Sequence, residues 1–420
     1  MAKHLSTLIA AVAAANVPSA ASAQIVGSGI VSDSGDTGFL IAASLIALIA
    51  VLPGWALYQA GRLRAAHAVP AAGLMFGIVA VVSLLWLTIG YSLAFNGASP
   101  WLGYGQNAWL ANLGNIREGT TVPESAFALL NLVFALAAPL LIAGALAERV
   151  RTGWMLAFAG LWSLIVYAPI AHWIWGNGWL GANGALDFSG GLVVFVAAGV
   201  SALVAAVMLG RRSGWPDDIM PGHAPILSLA GTALGWVGWL ALAGAGALAA
   251  TDDASAAVIN MQIGASAGVV GWLICSRLLG GRIELSGGGA GALAGIAALA
   301  SSSAYIATGP AMLIGFVAAV LSWLVARSIA RTFRIDDVTG SFATGAIGGA
   351  TGAILLAVFQ SPSFGGVGYG EGLDMAGQVF AQLVALGAVA LWSIIGTLIA
   401  GYGIAMVLPM RLTVDDEATP

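Results

Sequence analysis

From about residue 36 onward the chain alternates long apolar runs with short polar breaks, and the runs keep a common length. A hydrocarbon layer about 30 Å thick takes roughly 20 residues of helix to cross, and each run is close to that. The ranges are about 36–60, 71–95, 124–147, 152–173, 189–210, 224–249, 257–276, 286–303, 309–330, 341–359 and 376–408. Inside lipid a lone strand or irregular segment leaves backbone groups unpaired, so every run is predicted to be a helix. The pattern therefore predicts an all-α polytopic membrane protein with about eleven transmembrane helices.

The breaks carry a second, independent signal. Arg62, Arg64, Arg149, Arg151, Arg211, Arg212, Arg277, Arg282, Arg327, Arg331, Arg334 and Arg411 fall in alternate breaks, and Arg117 falls in one of the others. Cytoplasmic loops collect Lys and Arg, so the mature N-terminus is expected outside and the C-terminus inside. One span too many or too few would scramble this pattern. An odd total accommodates two inverted five-helix repeats plus a final helix, an arrangement that places a pathway at the interface of the halves. Asp187 before the fifth run and Asp336-Asp337 before the tenth stand at equivalent places. Aspartate at a helix start is also an ordinary cap for backbone donors.

Ahead of the first run, Met1-Ala2-Lys3-His4, an apolar stretch and Ser19-Ala20-Ala21-Ser22-Ala23-Gln24 give a basic start, a hydrophobic middle and a small-residue cleavage pattern. The organisation expected is a cleaved signal peptide over 1–23, a transmembrane domain over 24–410 and a short cytoplasmic tail over 411–420. The alternative for the first segment is an uncleaved extra helix.

Composition agrees with the pattern. A chain of 420 residues that is 60% hydrophobic and 8% charged has too little polar surface to cover a soluble globule. Its mean hydropathy is +0.96. The formal charge of -4 and the scattered arginines point away from a nucleic-acid partner. Cys275, the single cysteine, excludes an intrachain disulfide and a multi-thiolate metal site, and reads as a buried or reduced thiol. No nucleophile and base pair or metal-ligand cluster stands out in any run, so neither an enzyme nor a cofactor is expected. Many of the 59 glycines lie within the runs, where small residues let helices approach closely.

Several local patterns then add a family resemblance. They are Pro53-Gly54-Trp55-Ala56-Leu57-Tyr58, Gly144-Ala145-Leu146-Ala147-Glu148-Arg149, Pro169-Ile170-Ala171-His172-Trp173-Ile174-Trp175-Gly176 and Asp187-Phe188-Ser189-Gly190-Gly191. Gly238-Trp239, Asp336-Asp337 and Gly365-Gly366-Val367-Gly368-Tyr369-Gly370 follow in the same order along the helices. Together they resemble the Amt/Mep/Rh ammonium transporter family. The resemblance implies a homotrimer in the cell inner (plasma) membrane, each subunit with its own narrow, mostly apolar pore for ammonium or ammonia. A cation is recruited at an outer vestibule by aromatic faces, passes paired phenylalanines and meets two histidines.

Carried over residue by residue, Trp175 matches the recruiting tryptophan and Phe134 the inner gate phenylalanine. Leu130 replaces the outer gate ring, Leu242 replaces a vestibule phenylalanine and Gly246 replaces a hydroxyl that accepts from the ion. Phe195 and Gly345 occupy the twin-histidine positions. Phe195 opposite Gly345 reads as a volume-conserving exchange. His172 reads as a structural histidine, Asp187 as a cap and Asn260 as an interhelical hydrogen-bonding group. Weak cation recruitment and no proton handling follow. Ammonium or ammonia transport through an altered pore is the leading expectation, with a conduit for another small uncharged solute or gas, or a non-conducting sensor or structural protein, as alternatives.

Overall fold

The computed structural model describes residues 32–97, 99–216 and 222–418, so the expected signal peptide lies outside the described residues. Among these residues eleven helices are long and apolar enough to cross a membrane, and none of the described residues lies in a sheet strand. In chain order they are α1 (Ser34–Arg62), α2 (Ala65–Phe95), α3 (Glu124–Ala145), α4 (Thr152–Ala182), α5 (Gly191–Leu209) and α6 (Pro225–Ala245). They continue as α7 (Asp252–Leu278), α8 (Leu285–Ser302), α9 (Thr308–Phe333), α10 (Phe342–Phe359) and α11 (Met375–Ala405), and a short α12 (Val414–Ala418) follows.

Each expected span is present, and the differences lie at the ends. The second helix begins at Ala65 instead of 71, because Pro70 is accommodated inside its early turns and does not mark its start. The seventh begins at Asp252 instead of 257, since Asp252 and Asp253 in its first turn suit the positive end of the helix dipole. The fourth is interrupted after Trp175, where Asn177 has φ 63°, before a last turn at Trp179–Ala182.

The middle of the bundle is made by α3 and α8, whose apolar stretches are 89% and 83% buried, whereas α2 and α11 are mostly exposed to their surroundings at 28% and 33%. The small-residue run of α8 explains its place. A Cβ added at Gly352 of α10 would lie 1.9 Å from the Ala298 carbonyl oxygen of α8, so these two backbones touch.

The two ends of the bundle are tied by different chemistry. At one end Arg212 forks onto Asp336 through Nε (2.8 Å) and Nη2 (2.9 Å), and its Nη1 reaches Glu148 at 2.9 Å. Arg149, fully buried, donates to the Asp336 carbonyl oxygen at 2.5 Å. Burial lowers the Arg149 guanidinium to about 10, although the Asp336 charge opposes the shift. The backbone N–H of Arg64 donates to Glu148 at 2.7 Å, and Arg411 reaches Glu417 at 2.7 Å. Ser213 donates to the same Glu417 carboxylate through its N–H and hydroxyl. Loops after α1, α3, α5 and α9 and the segment after α11 thus meet at one end, as the alternation of arginines requires. At the other end Asp36 of α1 accepts from Thr121 and from the Ala250 N–H, joining the start of α1 to the loops after α2 and α6.

The halves repeat one device. The Asp187 carboxylate accepts from the N–H groups of Gly190, Gly191, Leu192 and Val193 at 2.7–3.2 Å, and α5 then opens with a π-helical stretch over Gly191–Val196. The Asp337 carboxylate accepts from Gly340, Ser341 and Phe342 at 2.9–3.1 Å, and α10 opens with a π-helical stretch over Phe342–Ile347. Within the Asp336-Asp337 pair the equivalent of Asp187 is therefore Asp337, because Asp336 is consumed by the two arginines.

Candidate functional site

Between the two ends, a series of apolar side chains converges on the π-helical starts of α5 and α10. At the Asp36 end Trp175 closes the first part of α4, and its indole N–H donates to the Asp187 carbonyl oxygen at 2.6 Å. Its ring meets Phe134 at a centroid distance of 5.1 Å. Leu130, Phe134 and Leu242 are all buried there, with Leu242 fully so.

Gly246 is held by its neighbours. A Cβ added there would lie 2.8 Å from the Phe188 carbonyl oxygen and 3.0 Å from the Phe188 ring. Phe188 in turn packs edge-on against Tyr305 at 5.7 Å. The space in which a hydroxyl-bearing side chain would stand is thus filled by a ring, one that lies within the Asp187-Phe188-Ser189-Gly190-Gly191 motif but was given no role there.

Deeper in the bundle Phe195 is 2% exposed and lies 4.6 Å from Trp239, centroid to centroid, at an interplanar angle of 47°. Gly345 is its close neighbour: a Cβ there would lie 3.2 Å from the Phe195 carbonyl oxygen and 3.7 Å from its ring. The two expected positions are therefore brought together, with the phenyl ring packed beside the residue that has no side chain. An apolar cavity of about 20 Å³ adjoins the ring, walled by Val51, Trp55, Leu140, Leu141, Trp239 and Leu293 among others. No titratable side chain is among its walls.

The Trp239 indole N–H is a polar group of this region to which the Gly238-Trp239 pattern assigned no role. Trp239 is 8% exposed and its N–H has no acceptor among the described residues, whereas the neighbouring Trp55 donates to the Leu140 carbonyl oxygen at 2.8 Å. A tryptophan in mid-span is itself the signal, since a buried indole N–H ordinarily finds a partner.

From the arginine-rich end a second, much larger cavity of about 510 Å³ approaches the same place. Arg62, Arg212, Asp337, Ser228 and Thr344 line it, and Thr344 directly precedes Gly345. Polar space thus ends one residue from the apolar centre.

The other residues singled out in the sequence have the following surroundings. Both ring nitrogens of buried His172 face backbone carbonyls, Ala94 at 3.0 Å and Ser99 at 2.7 Å. Asn260 donates to the carbonyls of Ser303 and Ile306, each at 2.8 Å, joining α7 to the end of α8. Asp187 serves as a cap, and Ser301 adds a fifth donor at 3.2 Å. Cys275 is a free, buried thiol.

These features define a polytopic helical membrane protein whose two halves meet along an apolar path. The sequence profile of the Ammonium Transporter Family matches residues 38–420, and the chain belongs to that family. It is 32% identical to an ammonium transporter of Bacillus subtilis, over 91% of this chain and 95% of that one. It is 30% identical to the ammonium transporter Amt1 of Archaeoglobus fulgidus, again over 91% and 95%. Among solved structures, Mep2 of Candida albicans superposes with a TM-score of 0.83 at 30% identity, covering 91% of this chain and 87% of that chain. A sensor Amt protein superposes with a TM-score of 0.86 at 25% identity, covering 92% and 96%.

Proposed function

We propose that this chain conducts ammonia as a neutral molecule along the path from Trp175 to the cavity beside Phe195, and handles ammonium weakly. The observation that carries this reading is the centre of the path, where Phe195 packs on Trp239 beside Gly345 and the cavity has no titratable wall. A dehydrated cation there has neither a counter-charge nor a proton acceptor, and moving it through apolar surroundings is very costly. The Trp175 and Phe134 rings retain an aromatic face for a cation at the entrance. Leu242 and Gly246 supply neither a further ring nor a hydroxyl.

In this reading the arginine-rich end faces the cytoplasm, the mature N-terminus is outside, and the protein is a homotrimer of the plasma membrane. The test is an ammonium pulse applied to proteoliposomes carrying a pH-sensitive dye and clamped for current. Rapid internal alkalinisation without current is expected. A saturable ammonium current in the native protein would overturn the proposal. Histidines introduced at both Phe195 and Gly345 should raise cation transport.

A second reading, a non-conducting sensor, is favoured by the near-complete burial of Phe195 and by the likeness in fold to the sensor Amt protein. It predicts no flux in the native protein and a gain of flux in Phe195→Ala.

A further inference from the structure

The loop between α2 and α3, at the Asp36 end of the bundle, turns its rings outward. Trp101 is 60% exposed, Tyr104 55% and Trp109 53%, and exposed Leu102 stands among them. Residues 99–116 include no charged side chain and no histidine. A connection that faces water has little reason to combine exposed aromatic surface with a lack of charge, and such a patch marks an interaction surface. We propose that this loop lies in the headgroup layer of the bilayer, with Trp101, Tyr104 and Trp109 set among the lipids as an interfacial anchor.

Three contacts hold the loop backbone against the end of α4. The Trp173 indole N–H donates to the Trp101 carbonyl oxygen at 2.7 Å, the Trp179 N–H donates to the Pro100 carbonyl oxygen at 3.0 Å, and the His172 ring faces the Ser99 carbonyl oxygen at 2.7 Å. The Trp101 ring lies 5.6 Å from that of Trp179, and Trp173 lies 6.0 Å from Trp179 and 5.6 Å from Trp392, near the middle of α11. Since α11 and α2 are the spans with most of their apolar surface exposed, the loop continues a surface that already faces lipid. Its backbone is prepared for that contact: Gly103 donates to the Leu93 carbonyl at 2.8 Å and Tyr104 to the Asn96 carbonyl at 3.1 Å, while Ser92 and Asn96 side chains serve the Tyr104 carbonyl. Trp109 and Leu110 also take left-handed backbone angles, φ 57° and 53°, which bulky residues rarely adopt and which persist where something else compensates. Trp and Tyr favour the headgroup layer because each joins a flat apolar body to a polar tip. Trp175 stands two residues after Trp173 in the same helical segment, so the anchor braces the outer end of the path.

The test uses full-length protein carrying Cys275→Ser and one nitroxide-labelled cysteine, reconstituted in phosphatidylcholine vesicles. Leu102→Cys and Ala111→Cys report on the loop with its three rings in place. Leu391→Cys, from an exposed position of α11, gives the lipid reference, and Glu118→Cys, from an exposed charged position, gives the aqueous one. Oxygen concentrates in lipid, whereas a nickel chelate stays in water. The ratio of oxygen to nickel collisions at 102 and 111 should stand severalfold above that at 118 and approach that at 391. Ratios equal to that at 118 would overturn the anchor. Shielding from both reagents, with dipolar broadening between labels, would place a second copy of the chain on this face and overturn it as well. Trp109→Ser in the Ala111→Cys protein should lower the ratio at 111 towards the aqueous value, and an unchanged ratio there would show that the ring does not hold the loop in lipid. None of these outcomes depends on what the path conducts.

Discussion

The starts of α5 and α10 are built alike and placed in opposite surroundings. Each has an aspartate whose carboxylate gathers backbone N–H groups and a π-helical stretch directly behind it. Around Asp187 everything is packed, and Ser301 is its further partner. Around Asp337 a cavity of about 510 Å³ opens. Eight residues after each of these aspartates, one half carries the phenyl ring of Phe195 and the other carries the bare backbone of Gly345. The difference teaches that the backbone device and the side chains it presents are separable. The caps fix where the two helices begin, and what they display toward each other is free to change.

The largest effect should come from removing the packed cap. Asp187→Ala leaves four buried donors unserved and should cost about 4 kcal/mol, while Asp337→Ala, beside a cavity that water can enter, should cost about 2 kcal/mol, both read as thermal unfolding in detergent. Equal losses would break the contrast between a sealed and an open helix start. Next, Phe195→Ala should cost about 3 kcal/mol by creating a cavity, whereas Gly345→Ala should cost about 1 kcal/mol, since its Cβ needs only a slight retreat of the Phe195 carbonyl.

Gly246→Ser is a sharper probe of the entrance. Its Cβ would press on the Phe188 carbonyl oxygen at 2.8 Å and on the Phe188 ring at 3.0 Å, so it should cost about 1–2 kcal/mol and fail to strengthen ammonium binding in an equilibrium assay, and shortening Phe188 should recover only the part due to the ring. The arginine-rich end supplies a pH test. Burial pushes Asp336 and Glu417 upward, yet the hydrogen bonds from Arg212 and Arg411 outweigh it and hold both carboxyls below their ordinary range. Because the folded values are depressed, this support is complete above the unfolded values, around pH 4, and is lost as pH falls through the folded ones. Hydrogen-exchange protection factors over 411–418, taken relative to the unstructured rate at each pH, should accordingly be high at neutral pH and fall below about pH 4. The smallest effect should be that of Arg282→Ala, within about 0.5 kcal/mol in the same unfolding assay, because its ion pair with Glu284 is long and exposed.

Much of this architecture is written locally. Span number, the Asp187 cap and the bridging role of Asn260 can be read because each depends on a run or a motif of neighbouring residues. The start of α2 at Ala65 was not legible from the apolar run alone, because Pro70 and the residues before it lie in the helix's early turns. The division of labour between Asp336 and Asp337 depends on Arg149 and Arg212, far away in the chain, and adjacency alone does not reveal it. The pairing of Phe195 with Gly345 was legible from motif positions, but the packing of Phe195 on Trp239 and of Phe188 on Gly246 arises only where separate helices meet.

The buried arginine between α3 and α4 also bears on how the protein is made. Arg149 emerges from the ribosome well before Asp336, its ion-pair partner among the described residues, so for the time it takes to synthesise α4 through α9 the nascent chain holds a guanidinium without the carboxylate it is finally buried against. Burying it unpaired is expensive, which favours keeping the α3–α4 turn hydrated until the second half arrives. Final closure of the first half is thereby deferred to a late step of biogenesis, and a ribosome stalled before Asp336 should leave a chain whose early helices are inserted but not yet locked together.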